Sequence, residues 1–146
     1  MKALFLDIDG VLNSETDPAD FIDPAKVALV NEVCVATGAV VVVSSEWRQD
    51  YNMGHDGTTA ALRAAGLTAP IHGFTDTQRK MSMTIAGARY GQILRYLREH
   101  PDITVHAVID DSDVLGGRVV RVNGVRGIED HHAARLIEIL GKEPTP

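Results

Sequence analysis

The segment Ala39-Val40-Val41-Val42-Val43 limits the possible folds more than any other stretch of the chain. It is continuously apolar rather than alternating and is rich in β-branched residues, which suits a central strand of a parallel sheet covered on both faces. Ala3-Leu4-Phe5-Leu6 and Val105 to Ile109 are short runs of the same kind. Each run stops at polar residues: Asp7-Ile8-Asp9-Gly10, then Ser44-Ser45-Glu46-Trp47-Arg48, then Asp110-Asp111-Ser112-Asp113.

Helical patterns separate the runs. Asp23 as N-cap and Pro24 in the first turn open a helix over 24–37, with Val27, Val30, Asn31 and Cys34 at helical spacing and Gly38 as its stop. A short helix is expected over 58–65, closed by Gly66, and a weak strand over 71–74. Residues 89–100 carry apolar or aromatic positions at helical spacing and end at Pro101. Val119 to Val122 reads as a further short strand. The last amphipathic helix is expected over 130–140, with Ala133, Leu136, Ile137 and Leu140 inward and Gly141 as its stop. Residues 13–23 have the composition of a flap, 49–56 of a loop, and 75–88 of a substrate-facing loop.

Strands alternating with helices imply an α/β fold, a three-layer Rossmann-like parallel sheet with helices on both faces and right-handed crossovers. At 146 residues and 45% hydrophobic content, a single domain over 1–141 with a short tail over 142–146 is the simplest organisation. Fourteen basic against twenty acidic residues give a net charge of -6, which disfavours a general coat for nucleic acid. No basic leader and no run of transmembrane length stand in the sequence, so a soluble, cytoplasmic protein with no membrane partner is expected. Cys34 is the lone cysteine and sits in an apolar-rich segment, which reads as a small core residue rather than a nucleophile.

In a parallel sheet the three polar strand ends lie along one edge, where open α/β sheets bind ligands. Carboxylates from the first and third runs then meet. Asp7 and Asp9 share a side if the strand persists that far, although an Asx-stabilised turn also fits this stretch. Crowded carboxylates repel, and a divalent cation removes the conflict; an oxygen-rich cluster suits Mg²⁺. Ser44 offers a hydroxyl to a phosphate oxygen, and Arg89 a cation to another.

These residues resemble the haloacid dehalogenase-like hydrolases, most of which are Mg²⁺-dependent phosphatases. The first motif of that family is similar to Asp7-Ile8-Asp9-Gly10-Val11-Leu12-Asn13, the second to Ser44, the third to Arg89 and the fourth to Asp110-Asp111. Ser44-Ser45-Glu46-Trp47-Arg48 also resembles the Ser-x-Trp-Arg stretch of small members akin to domains of RNA-repair proteins. The resemblance implies a haloacid dehalogenase-like core in which Asp7 is the nucleophile and forms an aspartyl-phosphate. It implies that Asp9 is the general acid and base, and that Ser44 and Arg89 hold the phosphoryl oxygens. The Mg²⁺ ligands it implies are Asp7, the backbone carbonyl of Asp9 and Asp110, with Asp111 orienting metal-bound water.

Some assignments have competitors. Ser45 competes with Ser44, which is favoured as the first residue past the apolar run. Lys80 competes with Arg89, which is preferred because one helix and one strand fit between it and the acid pair. Asp113 reads equally as a supporting acid and as a turn residue. His131-His132 reads as a solvated helix start rather than a metal site, because adjacent helical residues do not share a face. Trp47 suits core packing more than stacking on a base, and Arg118, Arg121 and Arg126 suit an ordinary surface more than a basic rim for a phosphorylated polymer.

The segments between the motifs are too short for a large cap domain, so the site is expected to be open to large substrates such as nucleic-acid ends, beside small phosphorylated molecules. The rival readings are a non-catalytic phosphate- or Mg²⁺-binding module for partner recognition, and phosphotransfer to an acceptor other than water.

Overall fold

The computed structural model describes residues 1–45, 47, 53–75, 85–112, 114 and 118–142, with backbone only for 85–88. Its elements run β1 (Lys2–Leu6), α1 (Pro24–Thr37), β2 (Val40–Val43), α2 (Gly54–Ala64), β3 (Ile71–Phe74), α3 (Ile85–Glu99), β4 (Val105–Asp110), β5 (Val119–Arg121) and α4 (Asp130–Leu140). The five strands form one sheet in the order β3-β2-β1-β4-β5, and every pairing is parallel.

The continuously apolar strands are apolar because both their faces are covered. Leu4 and Leu6 of β1 join Val27, Val30 and Val33 of α1, Leu62 of α2 and Leu136 of α4 in one cluster. Ala3 and Phe5, on the opposite face, join Ile93 and Tyr96 of α3 in a second. The three-layer arrangement follows from the order of the chain. Right-handed crossovers from β1 to β2 to β3 place α1 and α2 on one face. The return from β3 to β4 runs the other way along the sheet and leaves α3 on the other. That reversal makes the carboxyl ends of β1 and β4 a topological switch point, the place where open α/β sheets bind ligands.

Helix α1 begins and ends as its sequence predicts. Asp23 accepts from Ala25 N at 2.9 Å, Pro24 occupies the first turn, and Gly38, at φ 75°, donates to Cys34 O at 2.8 Å. Asn31 stands in the apolar register for a different reason. Its amide donates to Gly66 O at 2.8 Å and accepts from Thr68 N at 2.9 Å, pinning α1 to the turn after α2.

Two helix starts differ from the sequence reading. Helix α2 starts at Gly54, inside the stretch expected as loop, and α3 starts at Ile85, so 85–88 are helix rather than loop. Residues 76–84, the rest of that expected loop, lie outside the described residues, as do 48–52, Asp113 and 143–146 of the tail. Among the described residues no cap domain stands over the strand ends, and no helix is long and apolar enough to cross a membrane.

Candidate active site

Strand register brings the acids together. Leu6 pairs with Ile109, and Asp7 N continues the ladder by donating to Ile109 O at 3.2 Å, which sets Asp7 beside Asp110. On its other flank Ser44 N donates to Leu6 O at 2.9 Å. Asp7 and Asp110 are only 2% and 1% exposed. One carboxylate oxygen from each of Asp7, Asp110 and Asp111 lies within 4.8 Å of the others, a group that could hold a metal ion.

The cluster is partly neutralised from α3. Arg89 Nη1 lies 2.6 Å from Asp110 Oδ2 and 3.2 Å from Asp7 Oδ1. The remaining oxygen of Asp110 accepts from Ser112 N at 2.9 Å and Ser112 Oγ at 2.7 Å, while Asp7 Oδ1 also accepts from Ile8 N at 2.9 Å. These donors fix the carboxylates but do not balance their charge. Burial, and then the Asp110 charge, push the Asp7 carboxyl well above the usual carboxylate range, against the opposing pull of Arg89. Burial also raises Asp111, with Asp110 adding to it. Burial alone would lower the Arg89 guanidinium, but Asp7 and Asp110 outweigh it and keep it charged. Three acids facing one guanidinium leave a site with an excess of negative charge, and a hard divalent cation answers that excess.

Asp9 lies apart from this cluster. Alternation along a strand would have aimed it beside Asp7, but β1 ends at Leu6 and the chain turns at once, with Val11 N and Leu12 N both donating to Ile8 O at 3.0 and 2.8 Å. The Asp9 carboxylate is held instead by Asn13 Nδ2 at 3.1 Å and by Trp47 Nε1 at 2.9 Å. Trp47 is 2% exposed, which makes it a core residue with its one polar atom spent on Asp9 and leaves no face for a base. Neither role of Asn13 and Trp47 was foreseen. An Asn four residues beyond an Asp in a tight turn is the available signal for the first; the Ser-x-Trp-Arg stretch marks Trp47, but nothing in it pairs the indole with Asp9.

The two serines are distinguished by their partners. Ser45 Oγ accepts from Trp47 N at 3.2 Å and belongs to the turn that places the indole. Ser44 is 2% exposed, and its Oγ has no hydrogen-bond partner among the described residues. Arg89 Nε is buried without a partner in the same sense. A buried donor left open is costly unless a ligand answers it.

Residues 3–133 match the family described as the HAD domain in Swiss Army Knife RNA repair proteins. The chain belongs to that family. HAD stands for the haloacid dehalogenase-like superfamily, whose phosphatase-type hydrolases share this core. No curated protein and no solved structure gives a match.

The flap of this HAD domain is tied to the site. Asn13 Oδ1 accepts from Gly10 N at 2.8 Å, its amide donates to Phe21 O at 2.8 Å, and Glu15 N donates to Gly124 O at 2.8 Å. Gly10 has φ 78°, and a Cβ there would strike the Asp111 carboxylate. Gly10→Ala is therefore expected to destabilise the domain by about 1–3 kcal/mol. It would also displace Asp111, one of the three acids that could hold a metal ion; thermal melts of the variant and the wild type measure the loss of stability.

The other singled-out residues of the HAD domain fall away from the site. Cys34 is buried in the core, and burial pushes its thiol up to about 11, which suits packing and not nucleophilic attack. His132 corrects the expectation of a solvated helix start. It is 9% exposed because its Nδ1 accepts from Glu129 N at 2.9 Å, closing the first turn of α4 as a capping box. Burial and His131 lower its pKa. Donor atoms of Glu129, His131 and His132 also come within 4.8 Å of one another, but the His132 Nδ1 is already engaged in the cap. Arg118 is half-buried near His106, while Arg121 and Arg126 are exposed. Lys80 and Asp113 lie outside the described residues.

Proposed function

We propose that this HAD domain is a Mg²⁺-dependent phosphatase that hydrolyses phosphomonoesters through an aspartyl-phosphate on Asp7. One observation carries the reading: a buried carboxylate, Asp7, sits among Asp110, Asp111 and Arg89, while a second carboxylate, Asp9, is held separately two residues on. A binding module needs the first feature but has no use for the second.

Asp7 Oδ attacks phosphorus in line, and the bond to the leaving oxygen breaks as the Asp7–phosphorus bond forms. A carboxylate is a weak nucleophile, so alignment and charge neutralisation carry the catalysis. Asp9 donates a proton to the leaving oxygen, then takes one from the water that attacks the aspartyl-phosphate and restores Asp7. Asn13 and Trp47 keep the Asp9 carboxyl in one orientation for both transfers. Ser44 Oγ and the open Nε of Arg89 donate to phosphoryl oxygens, which gives these buried donors partners. Asp7, Asp110 and Asp111, with the Asp9 carbonyl, are the residues to hold Mg²⁺, which when bound supplies positive charge against the transferring group.

Among the described residues no cap domain stands over the strand ends, which favours large substrates, nucleic-acid ends in particular. Phosphate release should be followed on an aryl phosphate, nucleotides, and 3′- and 5′-phosphorylated oligonucleotides, with Mg²⁺ and with a chelator. Release that stops on chelation and returns with Mg²⁺ supports the proposal. A rate indifferent to the chelator on every substrate contradicts it.

A further inference from the structure

A second concave feature lies one strand over from Ser44. A cavity of about 500 Å³ opens along β3, the outer edge of the sheet, between α2 and α3. That volume is within the usual range for small-molecule sites. Its walls are mostly rings. On one side His55 of α2 stacks on Phe74 of β3, with centroids 4.1 Å apart and planes 6° from parallel. On the other, His100 stacks on Tyr96 at 4.0 Å, and His72 meets His100 edge-on at 5.2 Å. His72 Nδ1 and the Tyr96 hydroxyl share a hydrogen bond of 2.6 Å, which locks the two rings together. Gly73 is required between them, since a Cβ there would strike the Tyr96 hydroxyl.

The cavity is aligned with the phosphate site through two elements. Phe74 pairs with Val43, and Thr75 N donates to Val43 O at 3.0 Å, so Thr75 follows β3 as Ser44 follows β2; Thr75 lines the cavity. Tyr96 stands seven residues after Arg89 on α3. Seven residues are close to two full turns, so both side chains leave the same face of the helix, separated by about 10 Å along its axis. The helix face that carries Arg89 to Asp7 thus carries Tyr96 to the cavity.

We propose that this ring-lined cavity receives a nucleobase of the phosphorylated strand whose terminal phosphate lies at Asp7. The proposal rests on the phosphatase reading for the placement of that phosphate. Bases present flat π-faces, and single strands are commonly gripped by stacking on Phe, Tyr and His rings. The charged groups at the cavity, Arg95 and Glu99, pair with each other at 3.0 Å. Stacking rather than phosphate neutralisation therefore carries the affinity, and binding should depend only weakly on salt, in keeping with a net charge of -6.

The variant is His55→Ala, at an exposed position on α2 where the fold has little to lose. The ratio of kcat/KM on a 5′- or 3′-phosphorylated oligonucleotide to that on an aryl phosphate is expected to fall about tenfold, a loss typical of one stacked base. The loss should sit in KM, and an oligonucleotide with abasic residues near its phosphorylated end should show no such fall. A mononucleotide run alongside tells whether a single attached base suffices. Binding of a fluorescent phosphorylated oligonucleotide to Asp7→Asn protein, with and without His55→Ala, separates the two readings. Weaker binding after His55→Ala supports the base site even if no substrate is hydrolysed. Normal aryl phosphate hydrolysis with oligonucleotide binding and turnover indifferent to His55→Ala overturns the base site and leaves the phosphatase standing. That second result is also the one expected if the β3 edge serves an added peptide strand instead.

Discussion

Asp7→Asn is expected to lower kcat for phosphate release by at least about a thousandfold, because the substitution removes the nucleophile and leaves the rest of the site in place. The amide can still accept from Ile8 N and lie beside Arg89, so the turn after β1 should keep its shape. The same variant carries an opposite expectation for stability. In the cation-free protein the Asp7 carboxyl is raised above its unfolded value by burial and by Asp110. The folded state therefore binds a proton that the unfolded chain releases, and stability falls as pH climbs from the ordinary carboxylate range toward the raised value. Asp7→Asn removes that dependence. Without Mg²⁺ it should melt above the wild type, by a margin that widens with rising pH and closes on acidification. Saturating Mg²⁺ should reverse the order, since only the wild type keeps the full set of carboxylates. Melting curves at several pH values, with and without the cation, read both signs.

Asp9→Asn should lower kcat by roughly 10²–10⁴, the usual worth of general acid–base catalysis, while the loss in kcat/KM should depend on the leaving group. An aryl phosphate expels a stable phenolate and needs little help from an acid. An alkyl or ribose ester needs that proton. Formation of the aspartyl-phosphate from the aryl substrate should thus be only mildly slowed, while its hydrolysis, which needs Asp9 as a base, is slowed in full. A burst of phenol followed by slow phosphate release is the expected kinetic pattern. Equal loss of kcat/KM on aryl and alkyl esters, with no burst, would assign Asp9 to structure. Unlike Asp7, Asp9 contributes no oxygen to the acidic cluster through its carboxylate. Its loss should therefore leave cation-dependent stabilisation largely intact.

The sheet was legible because its central strands are covered on both faces. Val40–Val43 and Val105–Asp110 could not be surface strands, and the helical patterns between the apolar runs pointed to parallel crossovers. The ends of α1 were legible from Asp23, Pro24 and Gly38, each of which acts through local backbone chemistry. What sequence could not give was the direction of side chains after a strand stops. The single-face placement of Asp7 and Asp9 assumed an extended chain, and the turn that begins after Leu6 sends Asp9 to Trp47, a partner distant in sequence. The start of α3 was obscured by Gly87 and by the lack of an apolar period before Arg89. His132 escaped because a histidine stands at the capping-box position where Glu or Gln is the usual signal. Ser44 and Ser45 were adjacent candidates that only the tertiary hydrogen bonds separate.

The most direct test of the account is chemical trapping of the intermediate on Asp7. Wild-type protein should be mixed with Mg²⁺ and an aryl phosphate, quenched in acid within a turnover, reduced with borohydride and digested. An acyl phosphate is reduced where a free carboxylate is not, so the account predicts homoserine at position 7, absent without Mg²⁺ and absent in Asp7→Asn. Steady phosphate release with no reduction at Asp7 under any quench time, or reduction at Asp9 or Asp110 instead, would contradict it.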